Sequence, residues 1–334
     1  MKEFPLLEVA GSHMDVGTAI GEMHKDRIRE RVEIRRQKIP DYGSYLEKMP
    51  DYIAITGRFF PDLMEEAKGI AQASGVPFNE YFFAQVRDLY PFYIDDAENL
   101  GSIDHCTVIV GFNSHGPIVG QNEDWILKAQ DDLYLLKATV GGVTFFGLQY
   151  AVSIPGESAS INNLGLVQCV TEIHSTSQFG VPKNFISRAI LGTKTLEEAE
   201  RIIFETPKAS GYNHVLVQGD RVWNFEIAGD DYAVEKFEKK SFVHTNHFTS
   251  DKLKRYEIYR TKSSVSRYNR ASELNKNISS SRGIMEILSD GVGEYPIRRP
   301  NETIGSIIFQ PRNGIVSVCY GAPSPNKYVE YKMS

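Results

Sequence analysis

The spacing of apolar residues changes near Cys106, and this change constrains the fold more than any other feature of the sequence. Before Cys106 the spacing follows the period of α-helices, over residues 15–38 and again over residues 60–90. After it, short apolar runs between turn residues predict β-strands to about residue 173. Helices and then more strands follow. This order predicts an α+β fold of layered sheets covered by helices.

Cys106 itself stands at the start of a predicted hairpin. An apolar run begins there, Asn113 to Gly116 supply turn residues, and a second apolar run begins at Pro117. An antiparallel return places the end of the second strand beside the start of the first, so we expect Asp124 near the thiol. On the hairpin alone, a cysteine that only packs is the favoured interpretation, because no base or lowered pKa is visible in sequence.

Length, charge and cysteine content favour a single enzyme domain. The 334 residues contain no linker, repeat or low-complexity tract. The net charge of -6 is spread over mixed-sign segments, and the basic residues between Lys25 and Arg36 are predicted to form a solvated helix face rather than a nucleic-acid site. The three cysteines, Cys106, Cys169 and Cys319, are too few and too scattered for a disulfide framework, which favours a reducing compartment.

The sequence predicts a cytoplasmic protein without membrane contacts. No stretch approaches the roughly 20 apolar residues of a membrane span. The first residues also lack the apolar core of a signal peptide.

Several separated segments point to one family. They are Cys106-Thr107, Gln121 to Trp125, His244 to His247, and residues 9–21, 65–76, 162–166, 180–191, 264–268 and 321–326. In these segments the chain resembles the acyl-CoA:6-aminopenicillanic acid acyltransferase-like proteins, peptidase family C45, which are cysteine N-terminal nucleophile hydrolases. The resemblance covers nearly the whole chain. It implies a four-layer αββα sandwich with a helical prosegment.

The resemblance also implies autocatalytic maturation of an inactive precursor. Residues 1–105 would form the prosegment or alpha chain, and residues 106–334 the catalytic segment. Cys106 would attack the carbonyl of His105, and hydrolysis of the resulting thioester would free the α-amine of Cys106 as a base. An α-amine titrates near pH ~8, so it can accept a thiol proton at neutral pH. The family usually has glycine before the nucleophile, whereas His105 carries a Cβ that restricts the backbone.

Further site residues follow from the same resemblance. Asn246, in the His-Thr-Asn-His segment, would stabilise the oxyanion, and Asn162 is a second candidate. Asp124 would support the amine and the thiolate, and Arg298 or Arg299 would be the late arginine of the family. Each has a simpler interpretation, because Asn246 suits a turn, Asp124 a solvated strand end, and the arginines the surface.

The predicted function is transfer of an acyl group from a small amide or thioester to an amine or water, through a thioester on Cys106. The bond broken would be a linear C–N amide bond, and no cofactor or metal is expected, since His244 and His247 lack a third ligand at metal spacing. The alternatives are an unprocessed, noncatalytic binding protein and a papain-like Cys/His hydrolase. The sequence leaves the acyl donor, the acceptor and the oligomeric state open.

Overall fold

A computed structural model describes residues 2–86 and 106–333, with the side chain of Asn277 left aside. In these residues two β-sheets lie face to face. In spatial order, the larger sheet contains β1 (Leu6–Ala10), β4 (Leu133–Val140), β5 (Val143–Tyr150), β6 (Ser160–Asn162), β7 (Val167–Glu172), β8 (Gly211–Gln218), β9 (Arg221–Ala228) and β10 (Asp231–Glu238). The smaller sheet contains β11 (Phe242–His244), β2 (Thr107–Asn113), β3 (Gly116–Asp124), β12 (Thr303–Gln310), β13 (Ile315–Tyr320) and β14 (Val329–Lys332).

Helices cover the outer face of each sheet. The larger sheet is covered by α1 (His13–Met23), α2 (Lys25–Lys38), α3 (Tyr42–Leu46), α4 (Met49–Phe59), α5 (Pro61–Ser74), α6 (Phe78–Phe83), α7 (Lys183–Leu191) and α8 (Leu196–Glu205). The smaller sheet is covered by α9 (Lys262–Leu274) and α10 (Ser281–Leu288). None of the helices in the described ranges is long and apolar enough to cross a membrane.

The larger apolar cores of the described residues hold these layers together. Between the sheets, Val119 and Phe309 of the smaller sheet pack in one cluster with Leu148 and Val215 of the larger sheet. Separate clusters join each sheet to its own helices. Burying each large apolar side chain contributes roughly 1.5–3 kcal/mol. The predicted four-layer αββα sandwich is therefore confirmed.

The N-terminal region is an integral part of the larger sheet and its helical layer. β1 pairs in parallel with β4, from Leu6 opposite Leu135 to Ala10 opposite Thr139. Next, α1 packs so closely on α5 that a Cβ on Gly17 would lie 2.0 Å from the carbonyl oxygen of Glu66. Only glycine permits this approach between the two helices.

A local cap sets the start of α9. The helix begins at Lys262, because the Thr261 hydroxyl accepts a hydrogen bond from the Ser264 N–H at 2.9 Å and caps α9 there. The short helices α3 and α4 were not predicted.

The basic residues of α2 are also not a uniformly solvated face. Arg31 and Arg35 are only 5% and 4% exposed. Arg31 donates to Asp132 at 2.5 and 2.9 Å, and Arg27 donates to the same carboxylate at 2.7 Å. The prediction failed because this carboxylate, just before β4, supplies a distant buried partner for the arginines.

Candidate active site

Cys106 directly precedes β2 and lies at the open end of the predicted hairpin. Thr107 pairs with Asn122 across β2 and β3, so the hairpin prediction is confirmed. The register brings Cys106 opposite the end of β3, where Glu123 and Asp124 stand. The cysteine is 4% exposed, and it is shielded from bulk solvent.

Glu123 is the side chain that contacts the thiol. The thiol donates a hydrogen bond to this carboxylate, which also accepts hydrogen bonds from Ser158 Oγ at 2.5 Å, Tyr150 Oη at 2.8 Å and Gln121 Nε2 at 2.9 Å. Burial raises the pKa of Glu123. Burial, followed by the nearby charges of Glu123 and Asp124, raises the pKa of the Cys106 thiol well above its usual value. The thiol is therefore neutral here and needs a base to react.

Asp124 makes two different contacts. Its backbone contacts the Cys106 thiol, and its carboxylate contacts Arg299. Its main-chain N–H donates to Sγ of Cys106. Its Oδ2 accepts a hydrogen bond from Arg299 Nη2 at 2.9 Å, whereas the buried Oδ1 has no hydrogen-bond partner among the described residues. The structure thus places Arg299 at the site. Arg298 instead lies near Gly291, and its N–H donates to the carbonyl of Asp290 at 2.8 Å.

A fully buried arginine, Arg267 on α9, joins Asn246 to the backbone of Cys106. Its Nη1 donates to the carbonyl oxygen of Cys106 and to Thr107 Oγ1, both at 2.8 Å. Its Nη2 donates to Oδ1 of Asn246 at 2.9 Å. Asn246 Nδ2 in turn donates to the carbonyl of Glu172 at 3.1 Å. These bonds fix the amide of Asn246 in one orientation beside the backbone of Cys106.

Asn162 lies elsewhere, under α7. Its Nδ2 donates to the carbonyls of Thr193 at 2.8 Å and Leu191 at 3.3 Å. Its Oδ1 accepts from the N–H groups of Leu164 and Leu166 at 3.1 Å. These bonds fasten the turn after β6 to the end of α7, and they do not connect Asn162 to Cys106.

The histidines of the His-Thr-Asn-His segment are held by groups other than the thiol. His244 Nε2 lies 2.9 Å from Glu226 Oε1, and His247 Nδ1 lies 2.8 Å from Ser264 Oγ. Burial lowers the pKa of His247 to about 4. No group of His, Cys, Asp and Glu residues within 2–86 and 106–333 is arranged to hold a metal ion. These contacts give a papain-like Cys/His pair no support.

The thiol opens into a small cleft between the ends of the sheets. Its described lining consists of Cys106, Glu123, Trp125, Tyr150, Glu157, Val170, Glu172 and Lys183. A larger groove of about 540 Å³ lies at the other sheet edges, beside β10 and β11. We place the candidate site in the smaller cleft, because only this one contains the thiol.

Two residues at the thiol, Glu123 and Arg267, were not predicted. A sequence signal existed for Glu123, because strand alternation puts it on the same face as Gln121 and hence towards the other sheet. Arg267 lies 161 residues from Cys106, on a helix with a polar sequence. Its only signal was its presence in one of the segments that resemble the family.

Comparisons with known proteins identify the family of the chain. A model of the family "Acyl-coenzyme A:6-aminopenicillanic acid acyl-transferase" matches residues 112–325, and this match begins six residues after Cys106. The Beta-alanyl-dopamine/carcinine hydrolase of Drosophila melanogaster is 23% identical over 219 residues, which are 60% of this chain and 57% of that relative. The chain therefore matches little more than half of the relative's length.

A solved structure is also similar. A mutant of conjugated bile acid hydrolase from Clostridium perfringens is 11% identical, with a TM-score of 0.44 over 68% of this chain and 92% of that one. At that TM-score the similarity supports no conclusion. The family match covers most of the chain, including Asp124, Asn246, Arg267 and Arg299. The chain belongs to the acyl-coenzyme A:6-aminopenicillanic acid acyl-transferase family.

Proposed function

We propose that this protein is an autoprocessing cysteine hydrolase or acyltransferase that cleaves small amides through a thioester on Cys106. One observation carries the proposal: a single buried guanidinium, that of Arg267, binds the carbonyl of Cys106 at 2.8 Å and Oδ1 of Asn246 at 2.9 Å. A cysteine that only packed would need neither contact. The name of the Drosophila relative supports an amide substrate, since β-alanyl-dopamine is an amide.

Maturation would free the base that the thiol lacks. The sulfur attacks the carbonyl carbon of His105, the C–N bond to Cys106 breaks, and the thiol proton passes to the departing α-amine. Water then hydrolyses the thioester, which leaves a carboxylate on His105 and a free thiol and amine on Cys106. His105 lies outside the described residues, so the proposal rests on the groups around Cys106.

In each turnover the α-amine accepts the thiol proton and the sulfur attacks the substrate carbonyl. Asn246 Nδ2 then donates to the oxyanion, a contact worth roughly 3 kcal/mol in comparable sites. Asp124 Oδ1, which is buried and has no partner among the described residues, would accept a hydrogen bond from the ammonium. Arg299 holds the other carboxylate oxygen in place at 2.9 Å. Acyl transfer to water or to an amine completes the reaction.

Residues 1–105 would remain bound after cleavage. β1 is hydrogen-bonded to β4, and the helices of this region share one apolar core with the larger sheet. We therefore propose that the mature protein consists of two chains held by this interface.

Mass spectrometry of the purified protein tests the proposal directly. We expect two fragments divided before Cys106, which elute together in native buffer. Cys106→Ala should give one intact chain and no amide hydrolysis, because the same sulfur performs both steps. Cys106→Ser should cleave slowly and hydrolyse amides poorly, since a hydroxyl loses its proton less readily than a thiol. Two fragments from Cys106→Ala would contradict the assignment.

A further inference from the structure

We propose that Glu226 is a positioning residue for the reaction, because its carboxylate binds both ends of the segment that carries Asn246. We call this segment, residues 244–250, the Asn246 loop. The inference rests on the proposed function, in which the Asn246 amide donates to the oxyanion. Glu226 would act through that amide rather than on the reacting atoms.

The Glu226 carboxylate, near the end of β9, contacts the Asn246 loop at its beginning and at its end. Its Oε1 lies 2.9 Å from Nε2 of His244, the last residue of β11. The same oxygen accepts hydrogen bonds from the Thr249 N–H at 2.7 Å and from the Thr249 hydroxyl at 2.6 Å. Oε2 accepts a hydrogen bond from the Ser250 N–H at 2.9 Å. One side chain therefore joins residue 244 to residues 249 and 250.

This carboxylate is ionised at neutral pH although it is almost fully buried. Burial opposes ionisation, but the hydrogen bonds from His244 and Thr249 outweigh it and lower the pKa of Glu226 to about 2. Hydrogen bonds to an ionised acceptor are shorter and stronger than those to a neutral one. Glu226 is therefore a strong acceptor for both ends of the loop.

The ring of His244 extends this contact to the peptide bond before Asn246. Its Nδ1 lies 2.7 Å from the carbonyl oxygen of Thr245, while its Nε2 faces Glu226. A carbonyl and a carboxylate can only accept, so the ring donates from both nitrogens. On the other side of the same peptide group, the Asn246 N–H donates to Ser264 Oγ at 2.8 Å. The peptide group that leads into Asn246 is thus held from both sides.

The outer side of the Asn246 loop faces open space. Glu226, Thr249 and Ser250 line the groove of about 540 Å³ beside β10 and β11. Atoms on a groove wall have packing contacts on one side only. The hydrogen bonds to Glu226 therefore compensate for missing packing at this end of the loop.

The position of Asn246 matters more for the rate than for the fold. Arg267 and the carbonyl of Glu172 orient its amide, whereas Glu226 fixes the ends of the loop that carries it. A displacement of about 1 Å at a reacting group can lower a rate about 100-fold. Releasing the loop from Glu226 would move the amide away from the oxyanion while leaving the sulfur in place.

Two thiol reagents separate this role from a general loss of structure. With p-nitrophenyl acetate the sulfur bonds to the carbonyl carbon through an oxyanion, and p-nitrophenolate leaves. With iodoacetamide the sulfur bonds to the methylene carbon and iodide leaves, without an oxyanion. We would treat the mature protein with each reagent and follow modification of Cys106 by mass spectrometry. In Glu226→Gln, which replaces one acceptor oxygen by a donor, we expect acylation about 10–100-fold slower and alkylation within about twofold of the unchanged protein.

Equal slowing of both reactions would overturn the inference, because a general disturbance affects the thiol in each of them. Unchanged acylation would overturn it as well. Glu235→Gln is the matched control, since this exposed carboxylate of β10 lines the same groove, and it should leave both rates unchanged. If Glu226→Gln does not fold or mature, Thr249→Val removes one donor to the carboxylate and should slow acylation severalfold. Unchanged acylation in Thr249→Val would then contradict the inference.

A double-variant cycle tests whether Glu226 acts through Asn246. Asn246→Ala should slow acylation about 100-fold, and adding Glu226→Gln should slow it by less than about twofold more. Additive effects would show that Glu226 acts independently and would overturn the inference. Normal acylation in Asn246→Ala would instead contradict the proposed function, as would an unchanged protein whose Cys106 neither reagent modifies.

Discussion

Two regions of the molecule bury arginines beside carboxylates, with different results. Under the larger sheet, Arg188 of α7 binds Glu66 of α5 through two hydrogen bonds of 2.8 Å, and His13 of α1 lies 2.6 Å from the same carboxylate. Near the thiol, Arg267 and Arg299 bind a backbone carbonyl, Asn246 and one oxygen of Asp124. We refer to these as the interhelical cluster and the thiol cluster.

In the interhelical cluster both carboxylate oxygens are hydrogen-bonded, whereas in the described part of the thiol cluster one carboxylate oxygen has no donor. Burial alone would raise the pKa of Glu66, but Arg188 and His13 outweigh it and lower the pKa below its usual value. Both oxygens of Glu66 are hydrogen-bonded, while Oδ1 of Asp124 has no partner among the described residues. The comparison indicates that a closed cluster joins helices, and that an open one beside the Cys106 thiol leaves an acceptor for one more hydrogen-bond donor.

Breaking the interhelical cluster should have the largest effect on stability. Arg188→Met leaves Glu66 buried without its main partner, so we expect the free energy of unfolding to fall by about 3–5 kcal/mol. Urea denaturation measures this change. The folded fraction should keep its specific activity, and the double variant Arg188→Met/Glu66→Leu should recover much of the stability. Normal stability with lost activity would reverse the distinction between the clusters.

Changing Arg267 should affect turnover most. Arg267→Lys keeps the charge but cannot bind the Cys106 carbonyl and Asn246 together, so we expect kcat to fall by about 100-fold or more. Steady-state kinetics on the cleaved protein, with the melting temperature recorded in parallel, would measure it. Arg188→Lys serves as the matched control and should lower stability but not kcat. An unchanged kcat in Arg267→Lys would exclude Arg267 from the site.

Acid should destabilise the protein through His214, which lies on the side of the larger sheet that faces the helices. Burial, followed by the charge of Lys183, lowers the pKa of His214 from 6.5 to about 3. The folded state therefore resists protonation of His214. The contribution of neutral His214 to the free energy of unfolding is fully present above pH ~6.5 and is lost as pH falls towards ~3. At pH 5 this protonation should lower the free energy of unfolding by about 2 kcal/mol relative to its value above pH ~6.5.

His214→Phe should remove this part of the pH dependence, as shown by urea denaturation at pH 7 and pH 5. His115→Gln, at an exposed turn, should leave it unchanged. If His214→Phe retains the full loss of stability between these two pH values, the acid sensitivity lies elsewhere.

The smallest effect should come from Asn162. Its four hydrogen bonds hold a turn, so Asn162→Ala should cost about 1–3 kcal/mol of stability and leave kcat nearly unchanged. Thermal unfolding and kinetics on the same preparation measure both quantities. A fall in kcat of about 100-fold at unchanged stability would restore Asn162 as an oxyanion donor.

Local pattern predicted much of the fold. The hairpin from Cys106 to Asp124 follows from alternation and turn chemistry. The start of α8 is equally local, because the Thr195 hydroxyl accepts a hydrogen bond from the Glu198 N–H at 3.2 Å. These features depend on residues that are close in sequence. The order of the four layers came from the family resemblance.

Distant partners could not be predicted in this way. The burial of Arg31 depends on Asp132, which lies 101 residues away, and the role we propose for Arg267 depends on Cys106, which lies 161 residues away. The choice between Arg298 and Arg299 depended on which side chain turns towards Asp124. Such pairings are set by the packing of whole layers, and the polar sequences of α2 and α9 look like solvated helices.

The two ends of the described chain lie close together. Tyr331 Oη donates to Glu3 Oε2 at 3.3 Å, and the rings of Phe4 and Tyr320 lie 4.7 Å apart. A circular permutant could therefore begin at Cys106, run to residue 333 and continue through a short linker into residue 2. Once its initiator methionine is removed, this permutant would carry an N-terminal cysteine without any self-cleavage, so it would separate the chemistry of maturation from that of turnover.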